Sequence, residues 1–441
     1  MLDELDAAYA KARLLLEPGE DDLPEGVKTT IKFCIEHHTW YLLSRNAPVT
    51  SCRDAASRRR RLGYVGIPLS DELRSYLAEF RDGDGAKKYV VLHCRGHQSF
   101  DFEKLFASSV VQGRSLKKAE LTEMANSNFG YGLINPFTSV EILGDSNEVL
   151  QIFDETTVTN PGETSTMMTN AGDRTWGIEF EPKEFVEKLG LDLIGLADIA
   201  TVSDPLHSAP KFGILTGNAP ESGMLLWKRV NSVWRSKQGD LYKGDISNPS
   251  VQVSSAPMMG WTMELQERSH LIRERVLSEV RQFRKAEVDK VLIACNTTQF
   301  FESDIRQELD GSGVEFYSIP DAVKLWTDSN SDKRIFAAGI GQVTSDAKWS
   351  AFRFMHSQEN IVFPNDKQTD RLIDLAYDVK EGGVTPRTYQ KFRSLIRTSN
   401  CDVFLLLLTE LSMIFDVYSK RSFNGIDIVD AVDLYAESSL K

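Results

Sequence analysis

The stretch from Val291 to Thr298, with the sequence VLIACNTT, is a short apolar run that ends in a cysteine and three polar residues. Its first four residues predict a buried strand, because a strand that is covered on both faces is apolar throughout. An amphipathic helix is predicted just before it, over residues 262–290, since Ile272, Val276 and Val280 fall on one face. A buried strand that follows a helix is typical of a parallel sheet with helices on both sides.

The same pattern recurs in the rest of the second half of the chain. Short buried strands are predicted at residues 211–216, 334–340 and 403–408. Two units of about 100 residues each suggest two α/β lobes that face a cleft. Ligands of open parallel sheets bind beyond the carboxyl ends of the strands. The sequence therefore predicts two pseudo-symmetric parallel-sheet lobes with a site in the cleft between them.

Residues 211–441 resemble the aspartate/glutamate racemase superfamily in the order and spacing of several motifs. The motifs are the glycine turn at 216–222, ACNT at 294–297, GIGQVT at 339–344, LTEL at 408–411 and IDIVDA at 426–431. The resemblance implies a cofactor-independent enzyme that acts at Cα of an acidic amino acid. It implies that Cys295 and Thr409 are catalytic and that the substrate contacts Gly217, Asn218, Asn296, Thr297, Thr298, Thr344 and Glu410.

The chemistry of racemisation explains these residue types, because a proton is removed from one face of Cα and returned to the other. A thiolate at Cys295, where a helix is expected to begin, is a workable base. The backbone N–H groups of Asn296 and Thr297 are expected to hold a substrate carboxylate there. The second cysteine of the family, however, aligns with Leu408, which transfers no proton.

Leu408 leaves several functions open for the second half. The first is a racemase-like reaction in which Thr409 or a bound water serves as the second acid. The second is a one-cysteine decarboxylase or lyase, which needs only one proton-transferring group. A pseudo-enzyme that only binds an amino acid needs none.

Residues 1–205 predict an α+β domain, since their short strands and helices do not alternate regularly. They resemble the YbaK/ProRS-insertion family of aminoacyl-tRNA editing deacylases. The resemblance rests on PVTSCRDAA at 48–56, GLINPF at 132–137, NAGD at 170–173 and the strand at 89–94. It implies an editing pocket formed by Arg74, Gly132, Pro136 and Gly172. Arg74 stands where the family has a lysine, and arginine keeps the charge but does not deprotonate. The alternative function that this resemblance implies is aminoacyl-tRNA hydrolysis.

Four consecutive arginines, Arg58, Arg59, Arg60 and Arg61, follow the first of these motifs. Such a run suits the acceptor end of a tRNA, although a solvated helix face is the simpler interpretation. The net charge of −13 does not favour nucleic-acid binding by the protein as a whole.

Composition excludes several other classes. The five cysteines are dispersed without a CxxC pair, so neither a disulfide framework nor a zinc site is expected, and no histidine has metal-ligand spacing. No apolar run is long enough to span a membrane. The first residues do not have the pattern of a secretory signal. A cytoplasmic, cofactor-free protein is expected, and racemases of this type often pair, which suggests a homodimer.

Overall fold

The computed structural model of the chain describes residues 2–61, 63–81, 87–110, 116–118, 132–138, 150–158, 165–190, 194–203, 209–217, 219–239, 242, 244–418 and 421–441. These residues form two compact units. The first unit is Met1–Ala209 with Gln238–Ser247, and the second is Pro210–Lys237 with Asn248–Lys441. Each unit has its own sheets and its own apolar core.

The first unit combines short helices with short strands. Its helices are α1 (Leu2–Arg13), α2 (Glu25–Glu36), α3 (Cys52–Arg58), α4 (Phe102–Ala107) and α5 (Pro182–Leu189). Its strands are β1 (Tyr41–Arg45), β2 (Arg60–Arg61), β3 (Tyr64–Val65), β4 (Leu73–Arg81), β5 (Lys87–Arg95), β6 (Gln98–Phe100), β7 (Leu116–Lys118), β8 (Leu150–Asp154), β9 (Met167–Asn170), β10 (Trp176–Phe180), β11 (Ile194–Ala197) and β12 (Ala200–Val202).

The largest sheet of the first unit has the strand order β11-β8-β5-β4-β7. Strands β5, β8 and β11 run parallel, whereas β4 is antiparallel to both β5 and β7. A second, antiparallel sheet has the order β1-β10-β9. Mixed sheets of this kind are what an irregular succession of short strands and helices predicts. The relation of this unit to the editing family stays a prediction.

An aromatic cluster fills much of the core of the first unit. The rings of Phe137, Phe180 and Phe185 meet edge to face, with centroids 5.2 to 5.7 Å apart. Helix α2 packs closely onto this core at Gly172, where a β-carbon would lie 2.7 Å from the backbone of Gly26. Gly172 also has a φ of +81°, a value that L residues rarely adopt. Both constraints explain a glycine at position 172 by packing.

The second unit alternates strands and helices regularly. Its helices are α6 (Pro220–Gln238), α7 (Leu265–Lys285), α8 (Glu302–Leu309), α9 (Ile319–Asp328), α10 (Gly341–Thr344), α11 (Asp366–Gly382), α12 (Pro386–Arg397), α13 (Thr409–Tyr418) and α14 (Ala431–Ser439). Its strands are β13 (Phe212–Thr216), β14 (Val251–Ser255), β15 (Lys290–Ile293), β16 (Glu315–Phe316), β17 (Ile335–Ala338), β18 (Ile361–Val362), β19 (Val403–Leu406), β20 (Ser422–Phe423) and β21 (Ile426–Asp430).

Two separate sheets give the second unit its two lobes. The first lobe has four parallel strands in the order β14-β13-β15-β16. The second lobe has the order β18-β17-β19-β21-β20, parallel except for the edge strand β20. The predicted α/β fold with parallel sheets is therefore confirmed for this half. The central strands β15 and β19 lie in corresponding places, so their carboxyl ends carry corresponding residues.

The long helix that was predicted over residues 262–290 is shorter in the structure. Residues Pro257–Glu264 form a 3-10 helix, and α7 begins only at Leu265 and ends at Lys285. The chain leaves the helix at Ala286 and turns through Glu287, whose φ is +53°. The prediction was too long at its end because residues 286–290 contain no glycine or proline that would mark where the helix stops.

Candidate active site

The carboxyl end of β15 forms a tight turn that places Cys295 in the interior. After Ile293 the chain enters a 3-10 helix at Thr297–Phe301. The side chain of Gln299 fixes this turn, since its Nε2 donates to the carbonyl of Ile293 at 3.0 Å and its Oε1 accepts from the N–H of Ile319 at 3.3 Å. Cys295 is 5% exposed. The thiol is therefore almost completely buried at the end of the strand.

Two threonine hydroxyls surround the sulfur of Cys295. Its Sγ lies 3.4 Å from Oγ1 of Thr297 and 3.9 Å from Oγ1 of Thr262. Each of these hydroxyls can donate to the sulfur or accept from its S–H group, so the thiol lies in a polar environment at the strand end.

Asn296 connects the two lobes across the cleft. Its Nδ2 donates to the carbonyl of Leu407, just beyond β19, at 2.8 Å. Its Oδ1 is buried and has no hydrogen-bond partner among the described residues, and the same holds for Oγ1 of Thr298. A buried acceptor without a partner costs about 1–3 kcal/mol. The Asn296 oxygen is thus positioned to accept from a bound group.

The carboxyl end of β19 supplies the opposite wall. Leu408 and Thr409 are 6% and 7% exposed, and Thr409 begins α13. Glu410 is buried and pairs with Lys380 of α11, with 3.4 Å between Oε1 and Nζ. The wall therefore carries an apolar side chain, a hydroxyl and a pair of opposite charges.

These strand ends enclose a cavity of about 20 Å³. This volume corresponds to roughly one water molecule. The cavity is lined by Cys295, Asn296, Thr297, Ile340, Val343, Ile373, Ala376, Tyr377, Lys380, Leu408, Thr409 and Glu410. Five predicted site residues of this half, namely Cys295, Asn296, Thr297, Thr409 and Glu410, are thus brought together.

The other predicted residues of this half lie elsewhere. Gly217 packs closely against the backbone of Ala256, since a β-carbon at position 217 would lie 2.0 Å from the carbonyl oxygen of Ala256. The hydroxyl of Thr344 donates to the carbonyl of Ile340 at 3.0 Å, and Thr298 is completely buried. None of these three lines the cavity. Asn218 lies outside the described residues.

Sequence reasoning missed the contribution of α11. Ile373, Ala376, Tyr377 and Lys380 line the cavity from this helix, at the i, i+3, i+4 and i+7 spacing of one helix face. A capping box formed by Asn365 and Gln368 marks the start of α11 and was readable in the sequence. That Lys380 lines the cavity was not readable, because it depends on how the helix packs.

A larger cavity, of about 360 Å³, lies in the first unit. Arg74 and Gly132 line it, whereas Pro136 and Gly172 do not. The carbonyl of Pro136 accepts instead from Nε2 of Gln151 at 3.1 Å. The guanidinium of Arg74 donates to the carbonyls of Gln98 and Gly96. Two of the four predicted editing residues are therefore together at one cavity.

The four-arginine run divides into two buried and two exposed side chains. Arg59 pairs with Glu72 at 3.2 Å, and Arg61 pairs with Glu179 at 3.0 Å and with Asp71. The interpretation of all four as a solvated helix face is therefore wrong for Arg59 and Arg61, whose charges are neutralised in the interior. Arg58 and Arg60 remain exposed.

Among the described residues, no cluster of three or more His, Cys, Asp or Glu side chains has the geometry to hold a metal ion. Within the same residues, no helix is long and apolar enough to cross a membrane.

No protein-family model matches the chain, and no curated protein matches it. An aspartate racemase homologue from Pyrococcus horikoshii is a solved structure that resembles it, with 17% identity, a TM-score of 0.40, and coverage of 52% of this chain and 97% of that chain. A putative Asp/Glu racemase from Yersinia pestis has 14% identity, a TM-score of 0.40 and coverage of 52% and 97%. The Picrophilus torridus aspartate racemase has 15% identity, a TM-score of 0.42 and coverage of 52% and 93%. These neighbours are aspartate/glutamate racemase domains that cover about half of the chain, and so distant a likeness carries no information on its reaction.

Proposed function

We propose that the second unit catalyses cofactor-independent proton transfer at Cα of an acidic amino acid, with Cys295 as the base. The observation that carries the proposal is the cavity at the ends of β15 and β19, where a thiol, an unpaired amide oxygen, a hydroxyl and two opposite charges converge. Lys380 suits a substrate carboxylate. Glu410 and the Asn296 oxygen suit the ammonium group.

The residue opposite the thiol determines the stereochemistry. Leu408 lines the cavity on the second lobe and neither donates nor accepts a proton. A symmetric two-thiol racemase is therefore not what these residues support. We propose a one-base site, in which Cys295 removes the α-proton and returns it to the same face. Decarboxylation, in which the thiol protonates the carbanion that remains after loss of CO₂, uses the same single group.

Deuterium wash-in tests this proposal. The protein is incubated with L- and D-aspartate and L- and D-glutamate in D₂O, and the Cα–H signal is followed by proton NMR. We expect exchange with retention of configuration, and loss of exchange in Cys295→Ala. Cys401→Ala is the matched control, since Cys401 lies in the same unit, half-buried beside Ser399 at 3.0 Å, and does not line the cavity.

The outcomes separate the alternatives. Inversion that depends on Cys295 would assign the second acid to Thr409 or a water, and loss of CO₂ would assign a decarboxylase. Binding of an amino acid by calorimetry without exchange would leave a pseudo-enzyme. Neither exchange nor binding with any of the four amino acids would refute an acidic amino acid as the substrate.

We propose as a second candidate that the cavity of the first unit accepts the aminoacyl end of a tRNA. Its volume of about 360 Å³ and the presence of Arg74 and Gly132 in its wall support this, and Arg58 and Arg60 are exposed for contact with phosphates. Deacylation of a panel of aminoacyl-tRNAs tests it. Arg60→Glu is expected to lower the rate of deacylation and to make that rate less dependent on salt concentration, because one contact with a phosphate is lost. An unchanged rate in this variant would contradict contact between Arg60 and the tRNA.

A further inference from the structure

Three neighbouring strands of the first unit place a serine, a histidine and a glutamine in a line. Ser75 of β4 and His93 of β5 are paired across the antiparallel ladder. His93 is in register with Phe153 of β8, so Gln151, two residues earlier, lies on the same face of the sheet. The strand register alone therefore brings these three side chains together.

The distances form a continuous hydrogen-bonded chain. Oγ of Ser75 lies 2.9 Å from Nδ1 of His93, and Nε2 of His93 lies 2.8 Å from Oε1 of Gln151. The amide of Gln151 is fixed in this orientation, because its Nε2 donates to the carbonyl of Pro136. An amide oxygen only accepts, so the hydrogen of the imidazole is assigned to Nε2. Nδ1 is then the acceptor for the hydroxyl of Ser75.

The imidazole is held rigidly and without charge. His93 is completely buried and packs against Phe153, with 4.3 Å between the ring centroids and an angle of 31° between the ring planes. Burial lowers the pKa of His93 to about 3, since a low-dielectric surrounding disfavours the charged form. The lone pair of Nδ1 is therefore available to the hydroxyl at neutral pH.

Ser75 also lines the cavity of about 360 Å³. This volume lies at the lower end of the range for small-molecule pockets. Val49, Leu77 and Ile134 give it apolar walls, and Thr169 and Arg74 add polar groups. A serine that is joined to a neutral histidine and lines a cavity has the arrangement of an activated nucleophile.

We propose that Ser75 is the nucleophile of an ester-hydrolysing site in the first unit, with His93 as its general base and Gln151 as the positioning residue. The substrate class is an ester of a small carboxylic acid. The inference shares its cavity with the second candidate function, but it assigns the reaction to a side chain and stands whether or not a tRNA binds.

The reaction balances with water as the only co-reactant. Oγ of Ser75 bonds to the carbonyl carbon of the ester while its proton passes to Nδ1 of His93. The bond from that carbon to the alkoxy oxygen then breaks, and the proton moves to the departing alcohol. Water attacks the acyl-serine, gives a proton to Nδ1, and the acid is released as the proton returns to Ser75. A histidine that is so difficult to protonate makes a slow enzyme, because a base is most effective with a pKa near the working pH.

Covalent labelling of the full chain tests the proposal directly. A fluorophosphonate probe, which bonds to activated serines with release of fluoride, is expected to label Ser75, as located by peptide mass spectrometry. p-Nitrophenyl acetate is expected to give a burst of nitrophenol and an acetylated Ser75. Ser75→Ala is expected to lose both signals, while Ser57→Ala, which removes an exposed hydroxyl of α3, keeps them.

Two further variants separate chemistry from folding. His93→Gln is expected to slow labelling of Ser75 about 100-fold, and circular dichroism reports whether the fold survives. Gln151→Ala is expected to slow labelling less than His93→Gln does, because Gln151 only positions the base, and Gln151→Glu, which retains an acceptor oxygen for Nε2, is expected to restore it. A well-folded protein in which the probe labels no residue, or labels Ser51 of the same cavity instead of Ser75, would overturn the assignment.

Discussion

At the scale of single residues, the cleft of the second unit is asymmetric. The strand end of the first lobe carries the thiol of Cys295, and the matching strand end of the second lobe carries the side chain of Leu408. The neighbouring positions, Asn296 with Thr297 on one side and Thr409 with Glu410 on the other, are polar on both. In the proposed reaction, this single difference at position 408 separates a one-sided proton-transfer site from a two-sided one.

Leu408→Cys is expected to create the missing acid and to increase inversion relative to exchange about 100-fold, the usual contribution of a positioned proton donor. The ratio is measured from the rate of change in optical rotation and the rate of Cα deuteration. Leu408→Ala is the matched control, since it opens similar space without a proton donor. Equal inversion rates in the two variants would mean that space, and not the thiol, was limiting.

Lys380 is the positively charged residue that lines the same cavity, and replacing it tests whether it binds the substrate. Lys380→Met is expected to raise KM for the acidic amino acid about 10- to 100-fold, because a hydrogen bond to a charged group contributes about 1.5–3 kcal/mol. Lys367→Met is the control, since Lys367 lies exposed at the start of the same helix. A loss of kcat at constant KM would contradict a role in binding. Thermal unfolding monitors the cost of leaving Glu410 without this partner.

At the scale of elements, the junction between β21 and α14 carries a buried carboxyl group. Asp430 caps the helix, with Oδ1 accepting from the N–H of Val432 at 3.0 Å and from the hydroxyl of Ser412 at 2.7 Å. Its Oδ2 is buried without a hydrogen-bond partner among the described residues. Burial, with a smaller contribution from Asp433, raises the pKa of Asp430 from 3.8 to about 7.

This raised pKa makes stability depend on pH. Between pH 3.8 and pH 7 the folded state keeps a proton on Asp430 that the unfolded chain has lost. The free energy of unfolding therefore falls as the pH rises through this range and levels off above it. Asp430→Asn removes the titration and is expected to become more stabilising relative to wild type as the pH rises, by up to a few kcal/mol at about 1.4 kcal/mol per pKa unit.

Urea unfolding of both proteins at several pH values between 4 and 8 measures this difference. Asp427→Asn is the control, since Asp427 is exposed on the same strand. A difference between Asp430→Asn and wild type that stays constant across the range would show that the carboxyl is ionised throughout.

The elements also show what the sequence could predict. The predicted strands at 211–216 and 403–408 correspond to Phe212–Thr216 and Val403–Leu406, because a strand buried in a parallel sheet is apolar in its local sequence. Burial of Arg59 and Arg61 was not predictable in this way. Their partners Glu72 and Glu179 come from other parts of the chain, and a run of charges alone favours exposure.

At the scale of the whole molecule, the two cavities described above differ in chemical character. One is lined by Cys295 and the other by Ser75, and all residues that line each of them belong to a single unit. The line of Ser75, His93 and Gln151 was not predicted, since it depends on the register of three strands. The local pattern around Cys295, in contrast, was sufficient to predict where its strand ends.

Because none of the described residues lines both cavities, we expect the two chemistries to be separable by mutation. Cys295→Ala is expected to abolish Cα deuterium exchange and to leave the rate of fluorophosphonate labelling at Ser75 unchanged. Ser75→Ala is expected to abolish labelling and to leave exchange unchanged. Residues without shared partners act additively to within about 0.5 kcal/mol, so each unaffected rate should stay within about twofold of wild type. A larger change in either crossed measurement would show that the two units are coupled, and the double variant would then give the coupling free energy.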